Sequence, residues 1–535
     1  MPAGTSSKLA KKPFYNACLH IIDRVMKKLL LVFVIFSLLG LTGCKSVNGS
    51  QSPKRQGLNI HEINRRIEDL IKKTDPNVNI GIKIVSVDKN QVIYQKNAER
   101  HFVPSSTIKI ITLAAALHYL GPSYRFNTSV YTDRLIDQSG SVKNLYIKGS
   151  GDPSLMDHHL VDLVDELKQM GIKNVTGNIF VDDGIFDRLA WGLGHMWDDR
   201  HRGYSAPVSG LNLNYNRLLI KTVPSLSVAD QAHSIVKPFT SFVDVIKKAL
   251  TLKNGAKKSL EFAVEPGKQR EDDWPSTTND GLHFGDKVIV RGQTSKSAPA
   301  HYHSLAVNDP GILVGTFIKD QLHHHHIKMK GKVLRMAVPE NTILLATHQS
   351  RSLAEALIDF TKISNNLAHD ALIKVIAAEK GVKPATASAG FSLVNDFLVK
   401  EIGIPPNSIV TADGSGLSRY NLITPDQMVK TLLYASNNFA LAPEFIASLP
   451  IGGEDGTLGR RLSGDYIRGR VRAKSGFMTG LLSLVGYLRA IDDELYAFAV
   501  MMNNVVGPTA KYIDFQEAIL STMLFDEQGW LSRGS

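Results

Sequence analysis

The sequence predicts an α+β fold interrupted by a large β-rich insertion. Three observations predict it. Helix-period apolar patterns stand early in the chain, over Ile60 to Lys73, and return from about 346, over Ser352 to Lys380. Strand-like runs accompany them: Asn79 to Val87 alternates, and Arg470 to Val506 divides into three apolar runs. Between about 126 and 339 the texture changes to short β-like runs (N-L-Y-I-K-G, G-N-I-F-V-D-D-G, D-K-V-I-V-R-G) separated by Gly, Asp and Pro turns.

A chain of 535 residues, 43% hydrophobic and 21% charged, suits a large globular protein of two or three domains. Its first feature is M-K-K-L-L-L-V-F-V-I-F-S-L-L-G-L-T-G-C, Met26 to Cys44. A cationic start, a short apolar stretch and small residues before a cysteine are the parts of an export signal. Residues 1–43 are expected to be that signal region, and residues 1–25 are unusual in front of it, which points to Met26 as an alternative start. The segment holds six of the Lys and Arg residues and one acid, so +7 of the net charge of +12 belongs to the rest. This mild basic excess favours anionic surfaces, and with no dense basic run nucleic acid is not an expected partner. The only cysteines are Cys18 and Cys44, so a processed chain has no pair to oxidise and must rest on its core.

Residues 44–57 are small and polar and read as a tether. Ile60, Ile63, Ile67, Leu70 and Ile71 form one helix face. Gln91 to Gln95 offers a hairpin partner to the strand Asn79 to Val87. The run P-S-S-T-I-K-I-I-T, Pro104 to Thr112, then opens a helix too apolar for an exposed position. Pro104 and Ser105 suit its entry, and Ser106 and Lys109 stand one turn apart on the same face. A lysine beside a core-facing helix either reaches water or is held dry. A second S-x-x-K, Ser234 to Lys237, runs into Pro238, so no helix continues past it. Near the end, a last helix is expected over Asp514 to Phe525.

Three short elements stand in order: Ser106-x-x-Lys109, Ser364-x-Asn366 and Lys474-Ser475-Gly476. S-x-x-K with S-x-N and K-T-G is the signature of penicillin-binding proteins and class A β-lactamases. Their flanks sharpen the match: G-S-G-D-P-S-L (149–155), Y-S-A-P-V-S (204–209), S-N-N-L-A-H-D-A-L, D-G-S-G-L-S-R (413–419), G-G-E-D-G-T-L (452–458) and V-R-A-K-S-G. Together they resemble the S13 peptidases, D-alanyl-D-alanine carboxypeptidase/endopeptidases also called class C low-molecular-mass penicillin-binding proteins. The resemblance runs from about 58 to 528, and the long gap between Ser106 and Ser364 is where that family inserts extra domains. Ser475 replaces the family's threonine and keeps the hydroxyl; Asn365 fills a variable position.

The resemblance implies a penicillin-binding-protein/β-lactamase-like transpeptidase domain, an antiparallel sheet flanked by helices. Residues 58–125 plus 340–535 would form it, with 126–339 an inserted β-rich region of two subdomains. It implies that Ser106 attacks the penultimate D-Ala carbonyl and that Lys109 takes its proton. Lys109 can do so only if its pKa falls toward roughly 7–8, through burial and the nearby cation Lys474. Ser364 would relay the proton to the leaving nitrogen, and Asn366 would orient Lys109 and the substrate amide. Lys474 and Ser475 would hold the terminal carboxylate, and Gly476 would let substrate approach the strand edge. The backbone N–H groups of Ser106 and Phe477 would form the oxyanion hole. No metal or organic cofactor is required.

The expected partners are peptidoglycan stem peptides, β-lactams as inhibitors, and a membrane reached through lipid on Cys44. Leu41 to Cys44 resembles a bacterial lipobox, and Lys45 after it leans toward the outer membrane, placing the chain in the periplasm. Two other readings stand beside this one: a β-lactamase-like hydrolase, and an inactive lipid-tethered cell-wall binding protein. His323 to His326 reads as an exposed loop, Asp198-Asp199 as a solvated turn or a contact for a diamino-acid ammonium, and Asp413 to Gly416 as structural support near the site. Oligomeric state is left open.

Overall fold

The computed structural model describes residues 58–266 and 286–524. The signal region, Cys44 and the tether up to Gly57 lie outside the described residues. A five-stranded antiparallel sheet brings the two ends of the chain together. Its order is Val471–Met478, Leu481–Arg489, Leu495–Asn503, Asn79–Ser86, Val92–Lys96. The expected hairpin and the three late strands are all in it. Asn79 to Ser86 pairs along its whole length with Tyr496 to Asn503.

Both faces of this sheet are covered, so its central strands are apolar at nearly every position. Successive side chains go to opposite faces. Tyr496, Phe498, Val500 and Met502 enter one core with Ile80, Ile82 and Ile84. That core is closed by helices Ile60–Lys72 and Ala510–Ser521 through Ile63, Ile67, Tyr512 and Phe515. Ala497, Ala499 and Met501 face the other core. Against them pack Pro425–Asn437 and, beyond it, the helix Lys109–Leu120, buried from Lys109 to Leu117.

The segment between these parts carries its own core. A five-stranded mixed sheet runs Val333–Arg335, Ile179–Asp182, Leu145–Gly149, Asn127–Thr132, Ile343–Gln349. Three three-stranded sheets accompany it among the described residues, built from Val243–Leu252, Asp286–Ser295 and Ser259–Pro266, from His301–Ala306, Arg217–Val223 and His233–Lys237, and from the short strands Lys328–Met329, Asn174–Val175 and Ser141–Val142.

The structure departs from the sequence expectations in four places. Ile343–Gln349 pairs antiparallel with Asn127–Thr132, so the inserted sheet extends past residue 339. The insert is also less purely β than its texture, since helices Asp157–Gln169 and Pro310–His324 pack within it. His323 and His324 are the last turn of the second of these, not a loop; His323 Nε2 lies 2.8 Å from the Met329 carbonyl and His325 pairs with Asp165 at 2.9 Å. The final helix starts at Ala510, four residues early.

Ile82 has no exposed surface at the centre of the sheet. Ile82→Ala is expected to lower the unfolding free energy by about 2–5 kcal/mol, read by denaturant titration. A loss under about 1 kcal/mol would mean that the strand from the chain's beginning is not part of the cooperative core.

Candidate active site

Ser106 sits in a single 3-10 turn, Ser105–Ile108, that runs straight into helix Lys109–Leu120. Ser105 before it has φ +47°, a strained value for a residue with a Cβ. The surroundings hold it there. The Ser483 hydroxyl donates to the Pro104 carbonyl at 2.6 Å, and the Thr107 hydroxyl lies 2.8 Å from the same oxygen. Gly416, at φ +86°, lies so close to the Ser105 carbonyl that a Cβ would collide with it. Gly476 is equally constrained: a Cβ there would run into the hydroxyls of Ser105 and Ser483. The glycine of K-S-G is thus needed first to seat the edge strand under the nucleophile turn.

Lys109 is fully buried. Its Nζ donates to Ser106 Oγ at 3.0 Å, to Asn366 Oδ1 at 2.7 Å and to the Ser415 carbonyl. An ammonium has three N–H donors, and all three are used. When the amine is neutral, two N–H groups suffice for Asn366 and Ser415, and the lone pair faces the Ser106 hydroxyl. Burial lowers the Lys109 pKa to about 8, against the charges of Asp370 and Asp413, which raise it.

Asn366 is the first residue of helix Asn366–Glu379, capped by Asn365, whose side chain accepts from the Ala368 N–H at 3.0 Å. Its amide is fixed at both ends, Oδ1 on Lys109 and Nδ2 donating to the Tyr204 carbonyl at 2.8 Å. Ser364 precedes it at φ +57°, in the break between Leu353–Lys362 and Asn366–Glu379. That left-handed turn divides the helical pattern seen from Ser352 to Lys380 and leaves Ser364 partly exposed.

Lys474 lies fully buried in the edge strand Val471–Met478, with Nζ donating to the Ser475 carbonyl at 2.7 Å. Burial and then the charge of Lys109 push its pKa well below the usual lysine value. Burial is what lowers Lys109, as expected, while the expected push from Lys474 is not among its causes; Lys474 is itself lowered, by burial and by Lys109. The Ser475 hydroxyl donates to Thr457 Oγ1 at 2.8 Å, drawing in the G-G-E-D-G-T-L segment. Phe477 is 64% exposed. The strand pairs on one side only, with Leu481–Arg489; backbone bonds from Gly452 to Val471 and from Ala473 to Pro450 cover just the start of its other edge.

Ser106, Lys109 and Asn366 are therefore joined by direct hydrogen bonds, and Lys474 is within electrostatic reach of Lys109. The other copies of the motifs are elsewhere. Ser234 and Lys237 lie on the strand His233–Lys237, one buried and one exposed, and Ser436 to Asn438 ends helix Pro425–Asn437.

Several site residues were not singled out from the sequence. Asp370 accepts from the Gly414 N–H at 2.8 Å, and His369 Nδ1 lies 2.7 Å from the Asn365 carbonyl. His369 is held well below the usual histidine value by burial and the Lys109 charge. His195 comes from the insert, with Nε2 2.8 Å from Asp413 Oδ2 and 3.8 Å from Asp370. All but His195 lie within the quoted flanking motifs, which was the available signal. Asp199 accepts from the Tyr204 hydroxyl at 2.7 Å and pairs with Arg202 at 3.2 Å, one residue contact from Asn366.

His195, Asp370 and Asp413 are the one group of metal-ligating side chains brought together among the described residues. Asp413 is already saturated. Its oxygens accept from the N–H groups of Gly416 and Ser418, both at 2.7 Å, from Asn421 Nδ2 at 2.7 Å and from the Ser415 hydroxyl at 3.0 Å, besides His195. The group is a hydrogen-bonded ion cluster, which accords with the structural role read for Asp413 to Gly416.

Residues 63–521 match the model of the D-Ala-D-Ala carboxypeptidase 3 (S13) family. The chain is 30% identical over 444 residues to the D-alanyl-D-alanine carboxypeptidase of Actinomadura sp. (strain R39), spanning 80% of this chain and 78% of that protein. It is 27% identical over 446 residues to D-alanyl-D-alanine carboxypeptidase DacB of Haemophilus influenzae, spanning 82% and 88%. The fold is similar to the crystal structure of penicillin binding protein 4 (dacB) from Haemophilus influenzae, with a TM-score of 0.72 at 26% identity over 84% of this chain and 97% of that one. With the nucleophile turn, the buried lysine and the matched length in agreement, the chain belongs to the D-Ala-D-Ala carboxypeptidase 3 (S13) family.

Proposed function

We propose that Ser106 forms an acyl-enzyme with the penultimate D-Ala of peptidoglycan stem peptides. The chain is then a serine-type D-Ala-D-Ala carboxypeptidase, with D,D-endopeptidase action where the leaving group is a crosslinked diamino acid. The observation that carries this reading is Lys109, buried and hydrogen-bonded between Ser106 and Asn366.

Neutral Lys109 accepts the Ser106 hydroxyl proton as Oγ attacks the carbonyl carbon. The developing oxyanion is taken by the backbone N–H groups of Ser106 and Phe477. Ser364 relays the proton to the departing amine, the C–N bond breaks and an ester on Ser106 remains. Water then attacks that ester, returning Oγ–H to Ser106. Lys474 and Ser475 receive the terminal carboxylate, and that anion favours the charged form of Lys474, which burial disfavours in the free enzyme. The open part of the edge strand, from Lys474 to Met478, accepts the peptide backbone as an added strand.

The signal-like segment supports cleavage before Cys44 and lipidation of its thiol, with the tether holding the enzyme in the bacterial periplasm, at the outer membrane as Lys45 suggests. Among the described residues no helix is long and apolar enough to cross a membrane.

Intact mass after mixing with benzylpenicillin tests the core of this reading. A persistent adduct is expected on the native chain and none on Ser106→Ala. Rapid penicillin loss without an adduct would replace the reading with a β-lactamase, and an unreactive chain that also leaves stem peptides uncut would replace it with a binding protein. Lys109→Ala is expected to lower the acylation rate by about 10²–10⁴-fold without unfolding the chain. In the native enzyme only the neutral amine acts as base, so the acylation rate should climb with pH and level off above about 8. A rate independent of pH through that range would remove Lys109 from the base role. In cells, fatty-acid labelling is expected for the native chain and lost in Cys44→Ala; continued labelling would refute the lipid site.

A further inference from the structure

His195 comes from the insert, yet its side chain is only 4% exposed and lies against the catalytic part of the chain. The local sequence W-G-L-G-H explains how it gets there. A Cβ on Gly192 would lie 2.7 Å from the Asp413 Cβ and 2.9 Å from the His195 ring. One on Gly194, at φ +79°, would lie 2.7 Å from the Tyr420 ring and 2.8 Å from the Ser418 hydroxyl. Two glycines thus allow this loop to close on the loop Asp413 to Tyr420 and drive the imidazole between two carboxylates.

Those carboxylates lie under the catalytic base. Asp413 holds the Ser415 hydroxyl, whose residue's carbonyl accepts from Lys109, and Asp370 holds the Gly414 N–H of the same loop. Both charges act on Lys109 and favour its ammonium form. The other ionisable groups facing Lys109 are Lys474 from the edge strand and His369 from helix Asn366–Glu379, and burial disfavours the charged form of both. The groups facing His195 are Asp370, Asp413 and, from its own loop, Arg200.

We propose that His195 is a positioning residue of the acylation step: as an imidazolium between Asp413 and Asp370, it neutralises carboxylate charge that would otherwise keep Lys109 protonated, so that the insert completes the electrostatics of the active site. Burial pushes the imidazole toward its neutral form, but the bond to Asp413 and the charges of Asp370 and Asp413 outweigh it and hold its pKa above the usual value. Asp413 is kept a carboxylate, since the His195 bond and its other donors outweigh its burial. Asp370, with fewer donors, is raised to about 6 by burial and by Asp413.

This inference rests on the acyl-enzyme reading of Ser106, and one experiment separates the two. The rate of benzylpenicillin acylation is measured against pH for the full native chain, His195→Gln, Asp370→Asn and the double variant. Gln keeps a hydrogen-bond donor toward Asp413 and removes the charge. Without the cation the acid limb should move up by about one pH unit, an approximately tenfold loss at neutral pH, with the alkaline plateau within about twofold of native. Asp370→Asn alone should move the limb down, and adding it to His195→Gln should return the limb toward the native position. A loss of equal size at every pH with an unmoved limb would make His195 a scaffold only and overturn the proposal. So would a shift that Asp370→Asn fails to reverse, or no effect at all. If His195→Gln does not fold, His195→Asn is measured in its place, alone and with Asp370→Asn, with the same outcomes deciding. A native chain that is never acylated would instead remove the Ser106 reading, and this one with it.

Discussion

The structure depends on keeping the amine of Lys109 away from water. An amine without hydration loses its charged form readily, and only the uncharged form can take a proton from serine. The dry position is affordable because every donor of the amine has a partner, and each partner comes from a different part of the chain. Ser106 is one turn away, Asn366 is 257 residues further along, and the Ser415 carbonyl is 306. One buried nitrogen thereby fixes the relative placement of the nucleophile turn, the helix Asn366–Glu379 and the loop after residue 413. A shift of any of the three leaves a donor unmade on an amine that is itself fully buried.

The same requirement explains the strain beside it. Ser105 holds a positive φ, and the two elements pressing on it, at Gly416 and Gly476, have no side chain at the point of contact. Ser483 and Thr107 tie down the carbonyl of Pro104 from below. The nucleophile turn is clamped between a loop and a sheet edge, and the cost of the unusual backbone angle is offset by hydrogen bonds that exist only in that arrangement. The long segment between Ser106 and Ser364 is no inert spacer in this design. It sends the Tyr204 carbonyl to Asn366 and the His195 ring to Asp413, so it orients one partner of Lys109 and sets the charge beneath it.

What was legible in the sequence follows from distance along the chain. The sheet strands were readable because alternation and apolar runs are local, and Ser106 with Lys109 because a helical turn is local too. Ser364 and Asn366 were readable as a motif, but the left-handed turn at Ser364 that breaks the helical pattern was not, since serine carries no conformational mark as glycine does. The histidine run is largely exposed and ends in a turn, as its polarity indicates, but that polarity hides the helix end at His323 and His324. Lys474 falls in the expected strand, but its burial, which lowers its pKa, carries no local mark. His195 carried no readable signal at all: a lone histidine between glycines in a turn-rich segment gains its meaning only from acids more than 170 residues away.

The edge strand shows how the fold turns a liability into a site. An exposed strand edge invites pairing with any extended chain, and proteins cover or shorten such edges. Here Pro450 and Gly452 cover the strand as far as Ala473 and then leave it. The uncovered remainder begins at Lys474, a buried amine whose charged form is disfavoured until an anion comes near, and carries Phe477 outward into solvent. A chain that pairs there gains an ion pair if it brings an anion to the start of the open edge. An ordinary peptide segment presents none, whereas a peptide ending in a free carboxylate presents one at its terminus. The same edge that would otherwise be indiscriminate therefore favours chain ends, and it does so next to the turn that carries Ser106.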